Sequence, residues 1–404
     1  MASDPTSALL LLPPPPSASF DQFKAAYEPI LVAVCSKLAQ QLDGANRTAI
    51  LDIALSLPGL LSPSCQPQTR AFASLQSFLE SIYRLIGIVC VELGLELDGP
   101  GGITARVILL DFDSVQTAAV TTGHPRDGPI VDLQTLAQSE RPWERVYYPD
   151  NQVGRNLAAA FSSFQSQTKD PNAGSMHAIP DAPNWSFPDS LLALDDAKEF
   201  NAHYSVAVGG TFDHFHIGHK LLVTATALVL QPAEEAEPGR ERKITVGVTG
   251  EGLLAKKKYA EFLESWDERC ETTGAFLLAI MDFRPPDASA PRIERANGPG
   301  PDGKYIRMHV RPDLIFQMVQ ITDPFGPTIT DEGISALVVS KETRAGGAAV
   351  NEERARKGWE GLEVFEVDVL HTGEVPTDDV ENFASKISST DIRRRRMEMA
   401  MATR

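Results

Sequence analysis

Residues 209–219 read Gly209-Gly210-Thr211-Phe212-Asp213-His214-Phe215-His216-Ile217-Gly218-His219, between a short β-branched run at 204–208 and the apolar series Leu221, Leu222, Ala225, Leu228 and Val229. The run before the glycines has strand character, and the spacing after the turn gathers apolar side chains on one face of a helix. Strand, glycine turn and helix in that order form the repeating unit of a parallel sheet. Further strands are expected at 243–249 (KITVGVT), at 336–340 with its LVV core and at 362–370, and helices near 258–281, 346–357 and 389–401. This alternation predicts an α/β fold, a parallel sheet covered by helices on both faces. Ligands of such sheets sit beyond the carboxyl ends of the strands, where residues 209–219 lie.

Upstream, the chain opens on a proline-rich start that includes Pro13 to Pro16, then shows helix-like apolar spacing at 20–43 and 69–97 and a buried-strand pattern at 106–112. Residues 162–196 are rich in Ser, Pro, Asn and Asp with little periodicity and are expected to be a linker. The expected division is therefore an N-terminal α/β domain of unknown role over 1–195 and a second domain over 197–404, with the second able to stand alone. No repeat and no catalytic motif marks residues 1–195. Residues 284–304, rich in Pro and Gly, are expected to be a loop insertion without a role.

A chain of 404 residues accommodates two or three domains at roughly 150 residues each. Its 37 Lys and Arg against 54 Asp and Glu give a net charge of -17, which disfavours broad neutralisation of nucleic-acid phosphates; no nucleic-acid partner is expected. Local donors can still hold a small anion. The four cysteines are far apart and lack a CxxC pair, which speaks against a disulfide framework and for a reducing, cytoplasmic setting. The apolar stretch at 8–12 is too short to span a bilayer and no basic segment precedes it, so no membrane partner is expected.

Chemistry concentrates in two places. At the first, Gly209 and Gly210 let the backbone turn sharply and approach a ligand, while the following helix presents free N–H groups and the positive end of its dipole. His216 and His219 are three apart, so both imidazoles project toward that helix start and can donate hydrogen bonds to phosphate. Two other readings stay open for the same residues. His214, His216 and His219 could ligate zinc, although their spacing scatters the rings and no Asp, Glu or Cys completes a known pattern, so no metal site is expected; or the turn is purely structural. The second place is Ile387-Ser388-Ser389-Thr390-Asp391-Ile392-Arg393. Three hydroxyls at a helix start are ordinarily caps. Beside Lys386 and the arginines 393–396, in an acidic chain, they also describe a second phosphate site. The arginine run alone reads equally as a solvated face or a nucleic-acid patch.

Taken together, GGTFDHFHIGH and the distant ISSTDIR resemble the nucleotidyltransferases with an HxGH signature. Between them, residues 246–269 (VGVTGEGLLAKKKYAEFLESWDER), 323–327 (DPFGP) and 338–351 (VVSKETRAGGAAVN) are similar to the eukaryotic type of phosphopantetheine adenylyltransferase. The long N-terminal extension is similar to that of the fungal, monofunctional members. The resemblance covers about residues 203–400 and implies a Rossmann-like nucleotidyltransferase domain. It implies transfer of the adenylyl group of ATP, with Mg2+, to 4'-phosphopantetheine, giving dephospho-CoA and pyrophosphate in coenzyme A biosynthesis. No covalent enzyme intermediate is implied; catalysis rests on positioning and charge stabilisation.

Carried over by motif, the resemblance implies that Thr211 binds the nucleophilic phosphate, with Gly209, Gly210 and Phe212 around the substrate. It places His216 and His219 on the ATP phosphates and Lys257, or Lys256, at the transferring centre. Ser388, Ser389, Thr390 and Arg393 would hold the β- and γ-phosphates. A solvated surface run is the other reading of the lysines. Arg344 is a candidate phosphate contact by the same resemblance, although it departs from the pattern: relatives place an aromatic and then a basic residue after the SxET segment, whereas here Arg344 follows Thr343 directly. Nicotinamide-nucleotide adenylyltransferases and cytidylyltransferases are alternatives within the same class, and a non-catalytic nucleotide-binding scaffold is one from another. Other enzymes of the coenzyme A pathway are candidate partners of residues 1–195. Residues 298–304 imitate the glycine and lysine spacing of a kinase phosphate loop, but Tyr305 stands where a hydroxyl residue is required, and no kinase domain is expected to follow.

Overall fold

A computed structural model describes residues 6–402 except 43–46, 100, 113–125, 169–173, 189, 196–199, 287, 299–302, 369 and 371–386; Lys386 thus lies outside the described residues. The first half forms a sheet of β1 (Ser7–Leu12), β2 (Ala49–Ser56), β3 (Ile103–Asp111), β4 (Ile130–Asp132), β5 (Arg145–Pro149) and β6 (Ser175–Ile179). All neighbours are parallel, in the order β4-β3-β2-β1-β5-β6. The apolar run at 8–12 is thus an interior strand. Leu10 and Leu12 enter one core while Leu9 and Leu11 enter the core on the opposite face, which is why the run lacks polar alternation.

The second half forms β7 (Ser205–Gly210), β8 (Arg242–Thr249), β9 (Arg292–Ala296), β10 (Tyr305–Arg311), β11 (Leu314–Ile321), β12 (Ala336–Ser340) and β13 (Glu363–Val367), in the order β13-β12-β7-β8-β11-β10-β9. The first five of that order run parallel, and the β10–β9 hairpin adds two antiparallel strands at the edge. The chain winds outward from β7 through β8 and then returns to β12 on its other side. The strand order therefore reverses between β7 and β12, and the crevice typical of such a reversal opens at Gly209-Gly210 and Ser340.

The helices are α1 (Phe20–Ala39), α2 (Phe72–Glu92), α3 (Leu133–Ala137), α4 (Gln152–Gln165), α5 (Ile217–Val229), α6 (Glu251–Leu254), α7 (Trp266–Met281), α8 (Arg344–Arg356) and α9 (Ser389–Ala402). By length and composition alone the helical stretch Gln68–Glu92 could cross a membrane, yet 78% of its apolar window is buried inside the protein. It serves as a core helix packed against α5.

Three expectations are corrected. The proposed linker at 162–196 holds the end of α4, capped at its start by the Asn151 side chain accepting from Gly154 N–H at 2.8 Å, and all of β6. Ser and Gln on the outer face of α4 masked Leu157, Ala158 and Phe161 on the inner one. The supposed insertion at 284–304 contains β9, which pairs with β10. Finally, residues 197–404 are not self-contained. One hydrophobic core joins Leu79, Ile82 and Ile86 of α2 to Leu221, Ala225 and Leu228 of α5. Buried polar ties cross the same boundary: Lys220 Nζ bonds the Asp98 carboxylate and, at 2.7 Å, the Ala105 carbonyl, while Arg242 Nη2 meets Asp127 at 2.6 Å.

Separated from residues 1–196, the second half would expose that apolar face and strand the buried Lys220, while Arg242 would lose Asp127 and keep Asp313. A fragment of residues 197–404 is expected to aggregate or to bind a hydrophobic dye without a cooperative melting transition in calorimetry. A soluble fragment with a sharp transition would contradict the shared core.

Candidate phosphate-binding site

The turn from β7 to α5 is shaped by two non-glycine residues in the left-handed region, Phe212 at φ 52° and His214 at φ 48°. Each costs on the order of 1–3 kcal/mol and persists only where surrounding contacts enforce it. Phe212 is enforced by burial: its ring is fully enclosed, with centroids 5.4 Å from His219 and 6.4 Å from Phe215. A Cβ on Gly210 would come within 3.0 Å of that ring, whereas one on Gly209 would meet only open space. A side chain at 210 would therefore press on the Phe212 ring, which would have to give by a few tenths of an ångström, and at 209 the turn leaves room over the backbone. His214 is enforced by bonds, donating its N–H to Glu264 Oε2 at 2.8 Å and its Nε2–H to the Phe262 carbonyl at 2.9 Å.

Asp213, between these two, is fully buried and joins three segments. Its Oδ1 accepts from Glu264 N–H at 3.0 Å, its Oδ2 is ion-paired with Arg393 Nη1, and its carbonyl accepts from Ser389 Oγ at 2.8 Å. Arg393, also buried, donates further to the Lys258 carbonyl at 3.1 Å and to Thr390 Oγ1 at 3.1 Å. The start of α9 is thereby fixed against the start of α5, although 173 positions separate Ser389 from His216. Ser388 contributes a cap, its Oγ accepting from Asp391 N–H at 3.4 Å.

His216 is the N-cap of α5, with Nδ1 accepting from Gly218 N–H at 3.2 Å. That bond assigns the ring proton to Nε2, which lies 3.3 Å from Ser389 Oγ. A directed chain follows: His216 Nε2–H to Ser389 Oγ–H to the Asp213 carbonyl. The His216 and His219 rings stack at 3.9 Å with planes 21° apart. Loss of hydration on burial holds His216 well below its usual range, with further depression from His219, His214 and Lys220 nearby. The same burial pushes His219 down to about 3, lowered further by His214 and opposed by Glu264. Both imidazoles are consequently neutral donors at physiological pH, and a ligand anion would meet N–H groups and two helix starts rather than a fixed imidazolium.

The structure brings Gly209, Gly210, Thr211, His216, His219, Ser388, Ser389, Thr390 and Arg393 into one region. Phe212 is corrected from a substrate contact to a packing residue, since its ring is sealed within the core. Lys256 and Lys257 are exposed on the turn after α6, next to Lys258, whose carbonyl Arg393 holds. A cavity of about 440 Å³ adjoins them, lined by Leu254, Ala255, Ala260, Leu263 and the carboxylates Glu251 and Glu264 among others. Arg344 stands at the crevice end of β12 with its guanidinium ion-paired to Glu366 of β13.

Asp213, Glu264 and Arg269 had no role assigned from sequence. Arg269 is fully buried at the carboxyl ends of β7 and β8, donating to the Thr211 carbonyl at 2.7 Å, the Thr249 carbonyl at 2.9 Å and the Glu264 carbonyl at 3.1 Å. Asp213, His214 and Glu264 also bring ligand-type atoms within 4.8 Å of one another. Each of these side chains is already engaged, with Arg393, with Phe262 and with the His214 amide, so the donor set suits structural bonding better than a cation.

The family model described as "Domain of unknown function (DUF8446)" matches residues 1–184, ending just after β6. An uncharacterized protein of Schizosaccharomyces pombe is 34% identical over 261 residues, 64% of this chain and 66% of that protein. The phosphopantetheine adenylyltransferase of Saccharomyces cerevisiae is 28% identical over 260 residues, again 64% of this chain and 66% of that protein. The protein of that name from Methanothermobacter thermautotrophicus is 27% identical over 190 residues, 47% of this chain and 82% of its own length. This chain therefore spans just under two thirds of the length of the two yeast relatives.

The depressed imidazoles carry a pH signature. Unfolded histidines titrate near 6.5 and bind protons that the folded rings refuse, so stability is complete above about pH 6.5 and declines as the pH falls below it. Urea midpoints are expected to drop from pH 7.5 to pH 5, and less steeply in His219→Gln. Parallel curves for the two proteins would contradict the assignment of neutral, desolvated rings.

Proposed function

We propose that the chain is an adenylyltransferase that joins ATP to 4'-phosphopantetheine, giving dephospho-CoA and pyrophosphate. The observation that carries this reading is the 3.3 Å approach of His216 Nε2 to Ser389 Oγ, which merges two anion-binding helix starts at a strand-order reversal. The names of the relatives from Saccharomyces cerevisiae and the archaeon support the choice of acceptor. The four cysteines, all free and buried, fit a reducing compartment such as the cytoplasm.

In this reaction a phosphate oxygen of the acceptor attacks the α-phosphorus of ATP in line with the departing pyrophosphate. One P–O bond forms and one breaks, so no side chain needs to take the adenylyl group. The chain supplies geometry and donors. His219 and the free N–H groups at the start of α9 face the β- and γ-phosphates, with the Thr390 hydroxyl beside them, and His216 Nε2–H joins them by exchanging its bond to Ser389 Oγ for one to a phosphate oxygen. Thr211 and the open backbone at Gly209 receive the acceptor phosphate, and Lys257 or Lys256, on a long exposed stem, closes over the transferring group. Mg2+ would enter on the phosphates of ATP and offset their charge. Donors fixed in advance at such a centre are worth more than the same donors in water.

His216→Asn separates structure from chemistry, because asparagine is a good N-cap yet lacks the Nε2 donor. This substitution is expected to lower pyrophosphate release by about 10²–10³ while the melting temperature stays close to wild type. The assay supplies ATP, Mg2+ and in turn 4'-phosphopantetheine and nicotinamide mononucleotide, and a parallel run replaces ATP with CTP. Turnover with nicotinamide mononucleotide or CTP but not with phosphopantetheine and ATP would reassign the substrate, and turnover with none would leave a nucleotide-binding scaffold.

A further inference from the structure

The turn between α2 and β3, in the N-terminal sheet, carries two carboxylates on a tightly closed frame. Asp98 lies at φ 59° and donates its N–H to the Ile103 carbonyl at 3.0 Å, and Ile103 N–H donates to the Glu96 carbonyl at 3.0 Å. The backbone passes so close that a Cβ on Gly102 would lie 2.1 Å from the Glu96 carbonyl oxygen. Glycine is required at 102 by that close approach, and the backbone bonds tie the Glu96–Asp98 segment to the start of β3.

Each grips a different half of the phosphate cradle. Asp98 is ion-paired with Lys220, the residue after His219, and Lys220 is buried and also bound to the Ala105 carbonyl. Glu96 accepts from Arg395 Nη1 at 3.1 Å and 3.0 Å, and Arg395 lies two residues beyond Arg393 on α9. The segment carrying Glu96 and Asp98 thus holds the first turn of α5 through Lys220 and the second turn of α9 through Arg395. A displacement of about 1 Å between groups that must act on one triphosphate can cost roughly 10²-fold in rate.

Resting on the proposed function, we infer that Glu96 and Asp98 are positioning residues, through which the N-terminal domain sets the spacing of the two helix starts for ATP. The Glu96–Arg395 pair separates this role from simple stabilisation, because both side chains are partly exposed and such pairs add little to stability. Residues 1–184, which match a model with no assigned function, acquire a role in the site.

The test uses the full chain. Glu96→Gln, Arg395→Gln and their combination are assayed for kcat, KM for ATP, the ATP dissociation constant by equilibrium dialysis and melting temperature. Each single variant is expected to raise KM and the dissociation constant about threefold, with the combination no worse than either and the melting temperature nearly unchanged. Asp98→Asn is expected to lower kcat at least tenfold; should it fail to fold, the Glu96 and Arg395 variants decide the matter. Wild-type ATP affinity in both single variants would overturn the inference. If wild type binds ATP but releases no pyrophosphate, the adenylyl-transfer reading fails while dialysis still tests the positioning role. A wild-type chain that binds no ATP overturns both.

Discussion

The buried ion pair between Asp213 and Arg393 is the constraint around which the second half of the chain is organised. Removing two charges from water is costly, and losing one partner of such a pair typically destabilises by about 3–5 kcal/mol. Here the expense is met by further bonds on both sides. Asp213 also accepts from Glu264 and Ser389, and Arg393 also donates to Lys258 and Thr390. The result is positional. The loop after β7, the lysine turn after α6 and the start of α9 cannot move independently, and the partial positive charge of two helix starts falls on one crevice.

That crevice is lined by fixed neutral donors. His216 stacks on His219, which in turn packs against Phe212 and Phe215, and this burial strips both imidazoles of water, so neither is held as a cation. Arg269 adds a second clamp, holding the carboxyl ends of β7 and β8 by their carbonyls. The left-handed residues Phe212 and His214 are the local strain that this bonding supports. The first half of the chain takes part as well, since α2 completes the core beneath α5 and its following turn reaches both helices of the cradle.

Much of this was legible in the sequence. Short strands that end on a glycine turn before a helical period, as at 204–229, are recognisable because both periodicities are clean. β11, LIFQMVQI, escaped because a strand covered on both faces has no alternation to read, and β1 looked like a truncated apolar segment for the same reason. α4 escaped because its polar face is rich in Ser and Gln, residues that also make up linkers. At the site, the glycines stood out because a sharp turn calls for them, and the histidines and hydroxyls because their side chains carry hydrogen-bonding groups in any fold. Asp213 and Arg269 did not, because their roles arise only on burial, when partners distant in the chain close on them. Arg344 shows the converse, a cation in a suggestive segment whose partner, Glu366, is a neighbour on β13.

The most direct measurement is a crystal structure of the full chain with Mg2+ and an ATP analogue whose α,β-bridging oxygen is replaced by methylene. The account requires the triphosphate to lie between His216 Nε2 and the amides of Ser389 and Thr390, within hydrogen-bonding distance of both helix starts, with the Asp213–Arg393 pair intact. A triphosphate bound by only one of those helix starts, or elsewhere on the protein, would contradict it.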